Sequence, residues 1–123
     1  MDALILIVED QPLHAKLFVE VARANGMKAI ATARGEEALK LMASVRPTLV
    51  LMDVYLPDGD GRHVIAHMRG DDRMQAIPVV AISALSDRDT IDGSLSAGAD
   101  GFLSKPVSIK ALSAELRRLA PPR

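Results

Sequence analysis

The chain has 123 residues, a net charge of −1, 49% hydrophobic side chains, no Cys and only three aromatic residues, Phe18, Tyr55 and Phe102. That length suits one domain able to bury about two thirds of the surface of its unfolded chain. The balanced charge gives no bulk attraction to nucleic acid or anionic membrane, and the missing Cys excludes disulfides and thiol chemistry. Scarce aromatics argue against a stacking platform for single-stranded nucleic acid. No apolar stretch approaches the ~18 residues needed to span a bilayer. Met1-Asp2-Ala3 lacks the basic start of a signal peptide, so a cytoplasmic protein without membrane insertion is expected.

Leu4-Ile5-Leu6-Ile7-Val8 is a continuous aliphatic run, the pattern of a parallel strand buried on both faces, and it ends in Glu9-Asp10. Pro12 suits a first helical position, with Asp10 or Gln11 as cap. Leu13, Leu17, Phe18, Val21 and Ala22 recur at helical spacing before the Asn25-Gly26 stop. Met27 to Ala33 reads as a short strand, and Gly35 to Ser44 as a helix with Ala38, Leu39, Leu41 and Met42 inward, broken by Arg46-Pro47.

The run Leu49-Val50-Leu51-Met52 drives straight into Asp53, and the turn-rich stretch Val54 to Gly61 follows it. A helix from about Gly61 to Arg69 carries Val64, Ile65 and Met68. Gly70 to Arg73 is a polar loop, and Pro78 opens the strand Val79 to Ser83. Asp87 to Ala97 reads as a weak helix because Thr90, Gly93, Ser94 and Ser96 lower its propensity. Gly98 to Gly101 turns into a fifth strand, Phe102 to Lys105. Ser108 caps a last helix with Ile109, Leu112, Leu116 and Leu119 inward, and Ala120 to Arg123 forms a tail. Alternating strand and helix with doubly apolar strands predicts an α/β fold: one parallel sheet, helices on both faces and right-handed crossovers.

Such a sheet brings the strand ends Glu9-Asp10, Asp53, Ser83 and Lys105 to one edge, where open α/β sheets bind ligands. Two carboxylates at ~4 Å repel by about 4 kcal/mol at an effective dielectric of 20, so three together require a cation. Oxygen-only donors point to a hard ion, Mg2+. A carboxylate nucleophile, a metal, a lysine and a hydroxyl are the parts needed to move a phosphoryl group onto Asp53. His63 and His67 lie four apart but lack a third ligand nearby, and Asp58-Gly59-Asp60-Gly61 lacks the remainder of a calcium loop. A dinucleotide-binding enzyme is disfavoured because Glu9-Asp10-Gln11-Pro12 stands where a glycine-rich phosphate loop belongs. An aspartyl-phosphate phosphatase is disfavoured because Tyr55, not an acid, stands two residues past Asp53.

Over essentially its whole length the chain resembles the receiver domain of bacterial response regulators. Glu9-Asp10 is similar to the family's paired acids, and Asp53 to its phosphoacceptor. Leu56-Pro57 and Asp60-Gly61 complete its D-x-x-L-P-x-x-D-G loop. Ser83 and Lys105 follow Asp53 by the family's 30 and 52 residues. The resemblance implies a flavodoxin-like doubly wound five-stranded sheet of order 2-1-3-4-5, a single receiver domain over residues 1–123 with no output domain, and a phosphorelay role rather than turnover catalysis. It further implies a histidine kinase or histidine phosphotransfer protein as donor, and Mg2+ held by Glu9, Asp10, Asp53 and the Tyr55 backbone carbonyl. Lys105 and Ser83 would contact the phosphoryl group, Lys105–Pro106 would be cis, and Ser83 with Phe102 would form a switch. The switch would repack the face of the fourth helix, fifth strand and fifth helix for a downstream protein target, in a monomer or weak dimer.

Glu-Asp in place of the commoner Asp-Asp lengthens one metal arm, and Phe102 lacks the hydroxyl of the commoner Tyr. Leu17-Phe18, Asp71-Asp72 before Ile77 to Ala81, and Ser104 to Ser108 are most similar to single-domain regulators of the DivK cell-cycle type. A phosphate shuttle in a longer relay, and a receiver that docks without phosphorylation, are the alternatives.

Overall fold

The computed structural model describes residues 2–121. Its main sheet contains β1 (Leu4–Val8), β2 (Lys28–Thr32), β3 (Leu49–Asp53), β6 (Val79–Ser83) and β7 (Gly101–Ser104), in the order β2-β1-β3-β6-β7. All four pairings are parallel, so the order of five expected from the sequence holds. Five helices connect the strands: α1 (Pro12–Ala24), α2 (Gly35–Val45), α3 (Gly61–Arg69), α4 (Arg88–Ala97) and α5 (Ile109–Leu119). Beyond those elements lies a small antiparallel hairpin, β4 (Tyr55–Leu56) with β5 (Gly59–Asp60), inside the stretch expected to be only a turn.

Strand residues alternate between two cores. Ile5, Ile7, Leu49, Leu51, Val80 and Ile82 pack with Phe18, Val21 and Ala22 of α1 and with Leu112 and Leu116 of α5. Leu6, Val8, Val50, Met52, Val79 and Ala81 pack on the opposite face with Ala38, Met42, Ile65 and Met68 of α2 and α3. β3 and β6 are buried along their full length, which is why their sequences read as unbroken apolar runs. Each fully buried aliphatic side chain contributes about 1.5–3 kcal/mol over exposure.

Several inward assignments need correction. Leu13 is 81% exposed and Ile109 61%, and Leu17 also faces solvent. The stripe that α1 buries runs through Phe18, Val21 and Ala22, with His14 one turn earlier. Leu13 and Leu17 sit on its flank, and Ile109 lies in the first turn of α5, past the end of the sheet. Ala120, read as the start of a tail, is buried with the α5 core, whereas Pro122 and Arg123 lie outside the described residues. The second strand is one residue shorter at each end than expected, and the fifth strand ends at Ser104, leaving Lys105 just past it.

The loop acids serve as caps. Asp58 accepts from the Gly35 and Glu36 N–H groups at 3.0 and 3.1 Å, capping α2 from a distant loop, because its own N-cap residue Arg34 has no side-chain acceptor. Asp60 accepts from the Arg62 N–H and pairs with its guanidinium, closest at 2.6 Å. Asp87 caps α4 through the Thr90 N–H, and Ser108 caps α5 through the Ala111 N–H. α4 buries polar side chains where the other helices bury apolar ones: its buried residues are Thr90 and Ser94, and Leu95 is exposed. The Ser94 hydroxyl donates to the Thr90 carbonyl at 2.7 Å instead of packing apolar surface.

Gly61 sets where α3 starts relative to Asp53. A β-carbon there would collide with the Asp53 carbonyl, a backbone atom that cannot swing aside. Gly61→Ala should therefore cost about 1–3 kcal/mol through forced backbone shifts. Thermal unfolding should show a midpoint lower by about 3–10 °C. An unchanged midpoint would mean that the close approach does not constrain the fold.

Candidate functional site

The C-terminal ends of β1 and β3 place Glu9, Asp10 and Asp53 together, with one carboxylate oxygen from each lying within 4.8 Å of the others. Glu9 and Asp53 are nearly buried, at 4% and 5% exposure, and Asp10 is exposed. The Glu9 N–H donates to the Thr32 carbonyl, which anchors that end of β1 on β2. The Val54 N–H donates to the Ile82 carbonyl, which anchors the chain just past Asp53 on β6.

Lys105 enters from the end of β7. Its backbone N–H donates to the Ser83 carbonyl at 2.8 Å, and its Nζ stands 2.6 Å from Glu9 Oε1 and 3.2 Å from Asp53 Oδ2. The contact with Glu9 is an ion pair without hydrogen-bond alignment, since Oε1 has no hydrogen-bond partner among the described residues. The Lys105–Pro106 peptide bond is cis. Lys105 thus supplies part of the neutralising charge that the acids require.

Of the other residues singled out in the sequence, Ser83 lies at the tip of β6 and is fully buried. Its Oγ accepts from the Leu85 N–H at 3.0 Å, so the hydroxyl is engaged with the following loop. The Tyr55 N–H donates to Asp53 Oδ1 at 3.3 Å, and its side chain, 47% exposed, stands beside the acids. Phe102, on β7, packs against the α2–α3 core and not in the cleft. His63 and His67 are exposed on α3. A cleft of ≈ 400 Å³ opens over the acids, lined by Asp10, Gln11, His14, Asp53, Tyr55, Ala84, Lys105 and Pro106.

Sequence reasoning missed His14. Its Nδ1 lies 3.4 Å from Glu9 Oε1, and its ring stands 6.3 Å from that of Phe18. The available signal was its four-residue spacing from Phe18, which puts both on the buried stripe of α1.

Electrostatics follow from the crowding. Burial pushes the Asp53 carboxyl up, the neighbouring Glu9 pushes it further, and Lys105 only partly opposes them, leaving it at about 7. Burial also pushes Glu9 up, but its interactions with Asp53 and with the Lys105 ammonium outweigh that and hold Glu9 below the usual carboxylate range. Burial depresses Lys105, and its two acidic partners more than restore it, so the ammonium stays charged. Three carboxylates with oxygen donors alone, one of them carrying a buried oxygen without an aligned donor, fit a hard divalent cation.

A family profile described as response regulator receiver domain matches residues 5–117. The chain belongs to that family, the receiver modules of two-component signalling, whose membership implies a kinase or phosphotransfer protein as partner. A curated relative, the polar-differentiation response regulator DivK of Brucella anthropi, is 37% identical over 105 residues, covering 85% of each chain. A response regulator structure from Chloroflexus aurantiacus superposes with a TM-score of 0.93 at 26% identity, covering 99% of this chain and 100% of that one. The receiver domain of the sensor histidine kinase PA1611 from Pseudomonas aeruginosa has a TM-score of 0.89 at 26% identity, covering 99% and 100%, and is described with magnesium in its active-site cleft. The architecture is the flavodoxin-like fold expected from the sequence, and among the described residues no helix is long and apolar enough to cross a membrane.

A carboxyl raised above its ordinary value stabilises the fold below the unfolded-state pKa, and that contribution is lost as pH rises through the folded value. For Asp53 the loss builds up from the ordinary value of 3.8 and is complete just above about 7, whereas lowered Glu9 gives the opposite sign and titrates below the usual carboxylate range. Metal-free protein should therefore lose stability between pH 5.5 and pH 8. Asp53→Asn should remove most of that loss, raising the unfolding midpoint at pH 8 by roughly 5 °C. Parallel pH profiles for wild type and variant in chelator would contradict this.

Proposed function

We propose that Asp53 is the phosphoacceptor of this receiver, taking its phosphoryl group from a phosphohistidine on a histidine kinase or histidine phosphotransfer protein. The observation that carries the reading is the joint placement of Asp53, Glu9, Asp10 and Lys105 at one sheet edge, with Lys105 Nζ 3.2 Å from Asp53 Oδ2. An Asp53 oxygen attacks phosphorus, an O–P bond forms as the donor's N–P bond breaks, and the imidazole nitrogen keeps the bonding pair and is protonated. Glu9, Asp10 and Asp53, with the Tyr55 backbone carbonyl, would hold Mg2+, as the PA1611 receiver's description supports for that protein. When bound, the ion neutralises charge on the phosphoryl oxygens.

Lys105 moves from the carboxylates to the phosphoryl oxygens, and the Ser83 hydroxyl leaves the Leu85 N–H to donate to the same group. Withdrawal of Ser83 opens space for Phe102, and the face formed by α4, β7 and α5 repacks for a protein target. The polar seat of α4, built on Thr90 and Ser94, supports this, since moving elements come from the least stable part of a fold. The 37% identical DivK relative, a response regulator by name, supports a signalling output through partner proteins.

Intact mass after incubation with a small-molecule phosphodonor tests the reading. Wild type with Mg2+ should gain a single phosphoryl group, while wild type in chelator and Asp53→Asn with Mg2+ should gain at least about 100-fold less. Equal labelling of Asp53→Asn would exclude Asp53 as acceptor.

A further inference from the structure

In the proposed chemistry Glu9 holds the metal, but its Oε1 loses its nearest cation, the Lys105 ammonium. The Glu9 side chain is 2% exposed, and its Oε1 faces two nitrogens, Lys105 Nζ at 2.6 Å and His14 Nδ1 at 3.4 Å. Both Glu9 Oε1 and His14 Nδ1 are buried atoms with no hydrogen-bond partner among the described residues. Glu9 Oε2 receives only a long contact from the Gln11 N–H, at 3.3 Å. The Lys105 ammonium therefore serves two acids in this structure, and it cannot keep both once it turns to a phosphoryl group on Asp53. A buried carboxylate oxygen left without its countercharge or a donor is costly.

We propose that His14 is a positioning residue that takes over Glu9 Oε1 when Lys105 leaves for the phosphoryl group. The inference rests on the phosphoacceptor reading of Asp53. His14 is already in place: its ring packs beside Phe18 on α1 and lines the cleft with Asp10, Asp53 and Lys105. Closing the gap from 3.4 Å to an ordinary hydrogen bond takes a movement of about 0.5 Å, within reach of a small side-chain rotation. An imidazole bearing a proton on Nδ1 supplies the donor. His14 is not in the group whose donor atoms lie within 4.8 Å of one another, which leaves it outside the metal's donor set. It acts on the orientation of a metal ligand, as supporting hydrogen bonds around metal sites do.

Mg2+ and beryllofluoride, a stable mimic of a phosphoryl group on a carboxylate, provide the test. On 15N-histidine-labelled protein, the His14 Nδ1 resonance should move to that of a hydrogen-bonded N–H with Mg2+ plus beryllofluoride, and not with Mg2+ alone. His14→Ala should weaken beryllofluoride binding about tenfold and Mg2+ binding by clearly less. His14→Asn, which keeps a donor near the Nδ1 position, should recover most of the loss. An unresponsive Nδ1, or equal losses for Mg2+ and beryllofluoride in His14→Ala, would overturn the proposal and leave the phosphoacceptor reading standing. Wild type that binds no beryllofluoride in the presence of Mg2+ would overturn both.

Discussion

Three carboxylates converge within 4.8 Å where β1 and β3 end, two of them almost wholly out of water, and that electrostatic crowding governs the functional edge of the molecule. Like charges at this separation repel by about 4 kcal/mol per pair at an effective dielectric of 20, so the arrangement persists only with compensation. Lys105 provides the internal part of it, bridging Glu9 and Asp53, and the crowding raises the proton affinity of Asp53. An incoming hard cation offers the remainder. In the proposed function, the same tension would serve Asp53, because a carboxylate held beside a lysine and a metal site meets an approaching phosphoryl group with its countercharges already assembled.

The fold exists to hold that crowding in place. Two aliphatic layers grip β3 and β6 from both sides, which fixes the strand tips against movement. Gly61 lets α3 begin against the Asp53 carbonyl, and Asp58 ties the turn of the hairpin to the start of α2. On the other side of the cleft the grip loosens. α4 is seated on the polar side chains Thr90 and Ser94, across the cleft from the aliphatic layers. In the proposed function, a charge change at Asp53 would reach α4 through Ser83.

Much of this was legible in the sequence. Unbroken apolar runs at Leu4 to Val8, Leu49 to Met52 and Val79 to Ile82 read as strands covered on both faces, and acids at the ends of the first two point to the site. Other features depend on geometry that periodicity does not carry. Leu13 and Ile109 fit a helical apolar pattern but fall in first turns that overhang the sheet edge, where no layer covers them. The two-residue strands of the hairpin are too short to leave a period, and the capping of α2 by Asp58 joins residues 23 apart. Lys105 was foreseen as a phosphate ligand, but its contact with Glu9, like that of His14, arises only when β1, α1 and the end of β7 are brought together.

Mg2+ affinity of Lys105→Ala against wild type, measured by calorimetric titration at pH 7.5, tests the central electrostatic claim most directly. If Lys105 is the resident countercharge of the acids, its removal leaves them under-neutralised, and the variant should bind Mg2+ about tenfold more tightly. Equal or weaker binding by a folded variant would contradict the account, since the acids would then not be competing for positive charge.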